Sequence, residues 1–202
     1  MSRKRQQQQS KEVRSRILEI AQRIISEEGL DALSIRRITN EMEYSSGSVY
    51  HYFESKDDII LSIIKKSYQS INKAVKPIDT HLPPDEIIRT SFKAYIYHCL
   101  SWASLYKNMM FSSSPQVLEI TAVLEEGLLE KRPAFEGLIQ SLETGISTGL
   151  FEPCDVQLTA QALWSAMFGL LSKLIIEQNV SQEHMDRLIN RQIDILLKGL
   201  RP

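Results

Sequence analysis

Residues Tyr44–Lys56, which read YSSGSVYHYFESK, are the most informative part of this chain about the fold of its N-terminal region. Ser45 is placed to cap a short helix, because a serine hydroxyl accepts a hydrogen bond from a backbone N–H of the first turn. Small and then aromatic residues follow it: Ser46, Gly47, Ser48, Tyr50, His51 and Tyr52. The small side chains let such a helix approach DNA closely, and the aromatic side chains can form hydrogen bonds. Lys56 adds a positive charge, so the stretch predicts a DNA-reading helix.

The residues around this stretch have helical spacing, and no segment alternates convincingly as a β-strand would. A first helix has one apolar face, made of Val13, Ile17, Ile20, Ala21, Ile24 and Ile25. Gly29 is placed to end that helix, and Ser34 to cap a second one. The third helix is predicted over residues 46–53. Ser55–Asp58 matches an acidic capping box and starts a fourth helix towards Val75.

A segment with three prolines, Lys76–Pro84, separates these helices from the rest of the chain. The features predicted after it are a helix from Asp85 to about Tyr106, a segment starting at Ser114-Pro115, a break at Pro133, a turn at Gly149–Pro153, and helices from Asp155 to about Gln178 and from Ser181 to about Leu200. The sequence therefore predicts an all-α protein with a small N-terminal head and a larger helical body.

Composition indicates an ordinary globular protein, with 43% hydrophobic residues, 24% charged residues and a net charge of -1. No apolar run approaches the roughly 18 residues of a membrane span, and no signal-peptide pattern precedes the first helix. We therefore expect a cytoplasmic protein. Cys99 and Cys154 lack the CxxC spacing of zinc and redox sites, so we expect free thiols, with no metal and no cofactor.

Positive charge is concentrated at the N-terminus. Residues 1–16 contain one acid, Glu12, and six basic residues, namely Arg3, Lys4, Arg5, Lys11, Arg14 and Arg16. The run Gln6–Gln9 has no apolar side chain, so residues 1–10 are predicted to form a disordered basic arm. Such an arm can lie along phosphates or enter the minor groove of DNA, or it can be a solvated tail without specific contacts.

Head and body together resemble the TetR (tetracycline repressor) family of bacterial regulators, and the resemblance is concentrated in residues 11–60. Ser34–Ile38 is similar to the start of the second helix of that family. The family pattern S-x-G-x-L-Y-x-x-F-x-x-K is matched by Ser45, Gly47, Val49, Tyr50, Phe53 and Lys56. The chain departs from the family at the turn, where Met42, Glu43 and Tyr44 replace Ala-Gly-Val. A residue other than glycine takes this turn at a modest conformational cost, so we expect the fold and DNA binding to be kept, whereas the resemblance does not fix the operator sequence.

The resemblance implies that the head binds DNA. The predicted DNA-binding residues are Arg36, Arg37, Ser45, Ser46, Gly47, Ser48, Tyr50, His51, Tyr52 and Lys56. Phosphate contacts are implied for both arginines, both tyrosines and the lysine, whereas Ser46, Ser48 and His51 are candidates for base edges in the major groove. Two alternatives stay open, because Tyr50 can pack in the core beside Phe53 and His51 can be a histidine without a contact.

The body contains a stretch rich in aromatic and sulfur side chains. The candidates for a ligand pocket are Tyr95, His98, Cys99, Trp102, Tyr106, Met109, Phe111, Met167, Phe168 and Leu171. Such a pocket would take an apolar or amphipathic small molecule, with His98 or a tyrosine as its polar contact. Residues of these types at helical spacing are also typical of an ordinary core. That a pocket exists is implied by the family resemblance.

The last two helices carry features of a partner surface. The predicted dimer interface consists of Ala162, Ala166, Gly169, Leu188, Ile189, Ile193 and Leu196. These apolar stripes could be wholly buried in one protomer, but the resemblance implies a four-helix bundle formed with a second copy. A twofold dimer would place two recognition helices on half-sites about 34–36 Å apart, or a multiple of that distance.

These features predict four segments: a basic arm at 1–10, a helix-turn-helix domain at 11–56, a connecting helix at 57–75, and a ligand-binding and dimerisation domain at 76–202. The predicted function is that of a homodimeric transcriptional repressor that a small molecule releases from an inverted-repeat operator. The alternative is a helical protein-interaction adaptor whose DNA-binding head is not functional. We do not expect an enzyme, because His98 and Cys99 point about 100° apart on a helix and the chain has no HExxH spacing.

Overall fold

The computed structural model of the chain describes residues 3–43, 46–75, 81–110, 115–127, 129, 132–177 and 179–202. Its helices are α1 (Arg3–Glu28), α2 (Ile35–Met42), α3 (Ser46–Tyr50), α4 (Lys56–Val75), α5 (Pro84–Leu100), α6 (Ala103–Met110), α7 (Pro115–Thr121), α8 (Pro133–Ser147), α9 (Val156–Ile176) and α10 (Gln182–Lys198), and a 3-10 turn spans Leu30–Ala32. No strand occurs within these ranges, and the all-α prediction is confirmed.

Three of the predicted helix starts are confirmed by their caps. The Ser34 hydroxyl accepts a hydrogen bond from the Arg37 N–H at 3.2 Å, and the Asp155 carboxylate accepts one from the Leu158 N–H at 3.0 Å. Ser181 caps α10 in the same way. At the other end of α1, Gly29 follows the last helical residue with φ 93°, in the left-handed region that favours glycine. Local hydrogen bonds therefore set these boundaries.

The first helix is longer than predicted. Residues 3–10 are not a disordered arm but the N-terminal turns of the 26-residue α1. The physical reason is that a helix that is already nucleated extends through glutamine, lysine and arginine at little free-energy cost. A hydrogen bond of 3.0 Å from the Gln8 amide to the Glu12 carboxylate spans one turn of this extension.

One long helix predicted from Asp85 to about Tyr106 is two helices, α5 and α6. They are separated at Ser101 and Trp102. The Ser101 hydroxyl donates to the His98 carbonyl at 2.7 Å. Serine side chains compete in this way for the backbone groups that a continuing helix would use, which favours an end here.

The chain divides into two compact units. Unit 1 comprises residues 1–68 and 104–120, and unit 2 comprises residues 69–103 and 121–202. This division differs from the predicted domains, because residues 104–120 group with the head rather than with the body. Asn108 shows one reason: its side-chain amide donates to the Ile25 carbonyl near the end of α1 at 2.9 Å.

Unit 1 has a core made almost entirely of aliphatic side chains from α1, α2, α3 and α4. Its fully buried residues are Ile17, Ala21, Ile24, Ile25, Ile38, Val49, Ile59, Ile63 and Ile64. Val13, Met42 and Tyr52 pack against this cluster from its edge. Burying each large aliphatic side chain contributes about 1.5–3 kcal/mol, so this cluster determines where the short α3 can lie.

Unit 2 packs α5, α8, α9 and α10 around a second core. Its centre includes the fully buried Ile96, Leu142, Ala160, Met167 and Leu171. Polar contacts join α5 to the C-terminal helix: the Tyr97 hydroxyl donates to Asp186 at 2.6 Å, and Arg89 pairs with Asp194 at 2.7 Å. The hydrogen bond to Asp186 raises the pKa of Tyr97 to about 12.

Within the described residues, α9 is long and apolar enough to cross a bilayer by length and composition alone. The sequence predicts no such segment, because polar residues such as Gln161 and Ser165 interrupt its apolar run. In unit 2, the helix packs Leu163, Met167 and Leu171 into the core. A core helix passes the same test of length and composition, so this finding is weak evidence for a membrane span.

Candidate nucleic-acid interface

The position of α3 is set by two buried residues. Val49 is 0% exposed and Phe53 is 1% exposed, and both belong to the core of unit 1. The Val49 carbonyl accepts hydrogen bonds from the N–H groups of Tyr52 and Phe53, at 2.9 and 3.1 Å, which closes the chain into a turn after α3. α3 therefore ends at Tyr50, three residues earlier than predicted.

This anchoring turns the intervening side chains outwards. Tyr50 is 55% exposed, which argues against its alternative assignment to the core. His51 is also exposed, and Gly47 lies exposed on the same short helix. Ser48 is half-buried. The exposed groups are a phenol, an imidazole and a bare stretch of backbone, all of which can form hydrogen bonds with a nucleic acid.

Tyr52 has a different environment from Tyr50. It is half-buried, packs against the core of unit 1, and meets the His51 ring edge-on with centroids 5.1 Å apart. A phosphate contact by its hydroxyl remains a prediction. Ser45 lies outside the described residues, as does the side chain of Ser46.

The two arginines of α2 are not equivalent. Arg37 forms a two-pronged ion pair with Glu28 at the end of α1, with one N–O distance of 2.6 Å. The hydrogen bond from Arg37 lowers the pKa of Glu28, and the same bond raises the pKa of Arg37. Arg36 is exposed. Arg37 therefore ties α2 to α1, whereas Arg36 is the better placed of the two for a phosphate.

The predicted capping box at the start of α4 is half confirmed. The Ser55 hydroxyl accepts from the Asp58 N–H at 3.1 Å. The Asp58 carboxylate accepts from the N–H of Glu54 at 3.2 Å, one residue earlier than in a capping box. This cap fixes the helix start at Lys56, which is half-buried. Lys56 follows α3 and the turn closed at Phe53, residues 46–53, which we call the recognition turn.

Sequence reasoning missed Arg14 as part of this region. Its guanidinium carbon lies 4.6 Å from the centroid of the Phe53 ring, and its Nη2 donates to the Ser62 hydroxyl at 3.1 Å. Such a cation–π contact contributes about 0.5–1 kcal/mol at an exposed site. The contact joins α1 to α4 and to the residue that anchors α3, and nothing in the local sequence around Arg14 signals it.

The residues predicted to line a ligand pocket are distributed over both units. Tyr106 belongs to unit 1, Phe111 lies outside the described residues, and the side chain of Met109 is also outside the description. In unit 2, Tyr95, Cys99, Met167 and Leu171 are buried. Trp102 is 50% exposed, and His98 and Phe168 are half-buried. Burial raises the pKa of the Cys99 thiol to about 12, so this thiol is protonated at neutral pH.

The aromatic contacts of unit 2 centre on Trp164, which sequence reasoning did not select. Its ring lies 4.6 Å from Tyr95, 5.2 Å from Phe135 and 6.3 Å from Phe168, measured between centroids. The i, i+4 spacing of Trp164 and Phe168 was the available signal. Within the described residues, no group of three or more side chains is arranged to hold a metal.

The predicted dimer residues fall into two groups. Ile189 and Ile193 are 0% exposed within their own protomer, so they are corrected from interface to core residues. Ala162, Gly169 and Leu188 are exposed, and Ala166 and Leu196 are half-buried. Exposed Leu158 and Ile195 extend the apolar surface of α9 and α10 beyond the predicted set.

Comparison with known proteins supports the interpretation of the head. Residues 17–63 match the family described as bacterial regulatory proteins, tetR family. An HTH-type transcriptional regulator of Staphylococcus aureus strain USA300 is 37% identical over 57 residues, which are 28% of this chain and 31% of the relative. The chain thus matches about a third of the length of that relative.

Solved structures extend the similarity to the fold of the whole chain. The TetR-family transcriptional regulator PfmR of Thermus thermophilus matches with a TM-score of 0.65 at 23% identity, covering 92% of this chain and 99% of that protein. The fatty acid degradation regulator FadR of Bacillus halodurans matches with a TM-score of 0.71 at 19% identity, covering 93% and 96%. RolR, solved in complex with resorcinol, matches with a TM-score of 0.60 at 19% identity, covering 96% and 90%.

Proposed function

We propose, from the premise that the chain belongs to the tetR family of bacterial regulatory proteins through its N-terminal domain, that it is a homodimeric DNA-binding repressor. A small apolar or amphipathic molecule would release it from an inverted-repeat operator. The observation that carries the proposal is the anchoring of α3 by Val49 and Phe53, which leaves Tyr50 and His51 exposed. Such a role needs access to the chromosome, so we also propose a cytoplasmic location.

Roles for individual residues follow from their surroundings. Exposed Arg36 and Tyr50 and half-buried Lys56 would bind phosphates and so position the head on the duplex. His51 and Ser48 would contact base edges in the major groove, where each base pair shows a distinct pattern of donors and acceptors. Affinity for DNA and preference for a base sequence would thus come from different residues.

Dimerisation would use the exposed apolar surface of α9 and α10. Ala162 and Gly169 are exposed on α9, and Leu188 and Ile195 are exposed on α10. Small residues on one helix allow a second helix to approach closely, and leucine and isoleucine side chains gain free energy when they leave water. A twofold pair of these helices would form a four-helix bundle.

Ligand control would act through α4, whose residues belong to unit 1 up to Tyr68 and to unit 2 from Gln69. A molecule bound within unit 2, near the Trp164 cluster, would shift this helix and so change the separation of the two heads. A ligand changes DNA affinity only if it binds the two arrangements with different affinities. That RolR is solved with resorcinol supports a small aromatic compound as the first candidate to test.

The test begins with selection of bound duplexes from a random DNA pool, followed by affinity measurements over a range of salt concentrations. We expect an inverted repeat and a steep salt dependence. Lys56→Ala should weaken binding to every duplex and reduce the salt slope by about 1 for each phosphate that is no longer bound. His51→Ala should instead alter the selected sequence, at a cost of about 1–3 kcal/mol for the preferred base pair.

The control is Lys65→Ala, which removes an exposed positive charge from the same helix α4 without touching the recognition turn. An equal reduction of affinity for His51→Ala and Lys56→Ala on all sequences would contradict the base-reading role of His51. A folded protein that selects no duplex and shows no salt-dependent binding would overturn the proposed function and favour the adaptor alternative.

A further inference from the structure

We infer that the N-terminal part of α1, residues 3–16, is a second DNA-binding element that contacts phosphates of the duplex bound by the recognition turn. We call this segment the basic extension. The inference rests on the proposed function, since it requires that the head binds duplex DNA.

The distribution of charge within unit 1 is the first observation. The basic extension holds six Lys or Arg against one acid, a net charge of +5. Residues 17–68, which contain the helix-turn-helix, hold six Lys or Arg against nine Asp or Glu, a net charge of -3. Neutralisation of phosphates by basic side chains supplies essentially all non-specific affinity for DNA. The helix-turn-helix segment has a net negative charge, so it cannot supply this non-specific affinity for DNA alone.

Ion pairs reduce the available positive charge of residues 17–68 further. Arg37 is paired with Glu28, and Arg23 is paired with Glu27 and Glu41. Each of these arginines would have to exchange a carboxylate for a phosphate in order to bind DNA. The remaining basic residues of the segment are Arg36, Lys56, Lys65 and Lys66.

The first ten residues of the basic extension, 3–12, have no part in the core. Residues 3–12 contain no apolar side chain, and Arg5 and Lys11 are exposed. Arg16 contacts Glu19 at 3.7 Å, with both side chains more than half exposed, so this pair is weak. Exposed arginine, lysine and glutamine side chains along a helix are suitable donors for phosphate oxygens.

Arg14 fixes the basic extension relative to the recognition turn. Its guanidinium packs on Phe53 and donates to Ser62, and Phe53 is the residue that anchors the end of the turn after α3. From Arg14 to Arg3 the helix continues for about 16 Å, at 1.5 Å per residue. The basic residues are therefore carried on a helix that contacts, at Arg14, the residue that anchors the recognition turn, and duplex DNA is the polyanion that we propose for them.

The test compares the double variant Arg5→Gln/Lys11→Gln with the control Lys65→Gln/Lys66→Gln in the full chain. Both variants remove two exposed positive charges from unit 1, and glutamine has a helix propensity close to those of arginine and lysine. Binding of a selected duplex and of a random-sequence duplex is measured over a range of salt concentrations, and helix content by circular dichroism.

We expect the double variant to lose at least tenfold in affinity at about 0.1 M salt, on both duplexes alike. A dimer would lose four charges, so the slope of log affinity against log salt should become shallower by about 2–4. The control variant should change the slope by less than half as much. The ratio of selected to random affinity should stay at the wild-type value, because phosphates carry no sequence information.

Two outcomes would overturn the inference while leaving the proposed function intact. In one, the double variant, with unchanged helix content, keeps the wild-type affinity and slope. In the other, the control loses as much affinity as the double variant, which would show a general effect of net charge. A wild-type protein that binds neither duplex would instead remove the proposed function, and the inference with it.

Discussion

Glu43 occupies the turn position at which a glycine is usual in the family that the chain resembles. Its φ of 56° and ψ of 33° lie in the left-handed region, and its N–H donates to the Thr39 carbonyl at the end of α2. It is the single non-glycine residue with positive φ among the described residues. The turn is thus formed without glycine, as expected from the sequence. Glu43 carries the conformational free-energy cost of the left-handed backbone.

Replacing Glu43 with glycine should therefore stabilise the protein. A left-handed conformation costs an L-residue about 1–2 kcal/mol, and the greater entropy of glycine in the unfolded chain offsets about 0.4–1 kcal/mol of the gain. The net expectation is an increase of about 0.5–1 kcal/mol in the free energy of unfolding, measured by urea denaturation. The control Glu43→Ala keeps the left-handed strain and should give no such gain. Destabilisation by glycine would indicate that the Glu43 carboxylate has a stabilising contact.

The sequence predicted which side chains cap helices but not which arginines are paired. Ser34, Asp155 and Ser181 act through neighbours three residues away, so their roles are visible in the local sequence. Arg37 and Arg14 act through residues 9 and 48 positions away. Those contacts depend on how α1, α2 and α4 pack, and no local pattern records that packing.

At the end of α8, the Phe151 ring packs against the helix at Gly145, and the sequence does not predict this contact. Gly145 has an ordinary helical conformation, yet a Cβ placed on it would lie 2.1 Å from Cδ2 of Phe151. Its carbonyl accepts hydrogen bonds from the N–H groups of Leu150 and Phe151, at 2.8 and 3.0 Å. The turn at Gly149–Pro153 was predicted from its sequence, but the packing of the Phe151 ring against α8 was not.

Gly145→Ala should destabilise unit 2 by about 1–3 kcal/mol, because the ring of Phe151 is 2% exposed and has little space into which it can move. The matched control lies in the same helix. Gly137 has no atom within 4 Å of an added Cβ, so Gly137→Ala should stabilise α8 by about 0.5–1 kcal/mol through helix propensity. Thermal and urea unfolding of the two variants should move in opposite directions. A shift in the same direction would mean that Phe151 adapts to the alanine without cost.

In the proposed regulator, dimerisation would supply the affinity for an inverted repeat. Because Ile189 and Ile193 belong to the core, the proposed interface consists mainly of exposed residues of α9. A 3.6-residue stripe on α10 predicts only that one side of the helix is apolar. It does not say whether that side meets its own protomer or a second copy, so the sequence left both possibilities open for the two isoleucines, and the interface followed only from the family resemblance.

Gly169→Arg tests the proposed interface without disturbing the protomer. Gly169 is exposed, and an added Cβ would meet no atom within 4 Å, so the arginine fits in a single copy and improves helix propensity. In a dimer, two arginines would bring positive charge into an apolar helix contact. We expect a monomer in sedimentation equilibrium. At the same protomer concentration, its thermal stability should fall only by the contribution that dimerisation makes to the wild-type protein.

Binding of the same variant to DNA then connects assembly with function. Because a dimer binds its second half-site intramolecularly, the monomer should lose about 10²–10⁴-fold in affinity for the full inverted repeat, while its affinity for an isolated half-site stays unchanged. Gly137→Arg on α8 is the matched control and should remain dimeric, since its added side chain also meets no neighbour at Cβ. A Gly169→Arg protein that stays dimeric would exclude this face of α9 as the interface. A monomer that keeps full affinity for the inverted repeat would show that the two half-sites are bound independently.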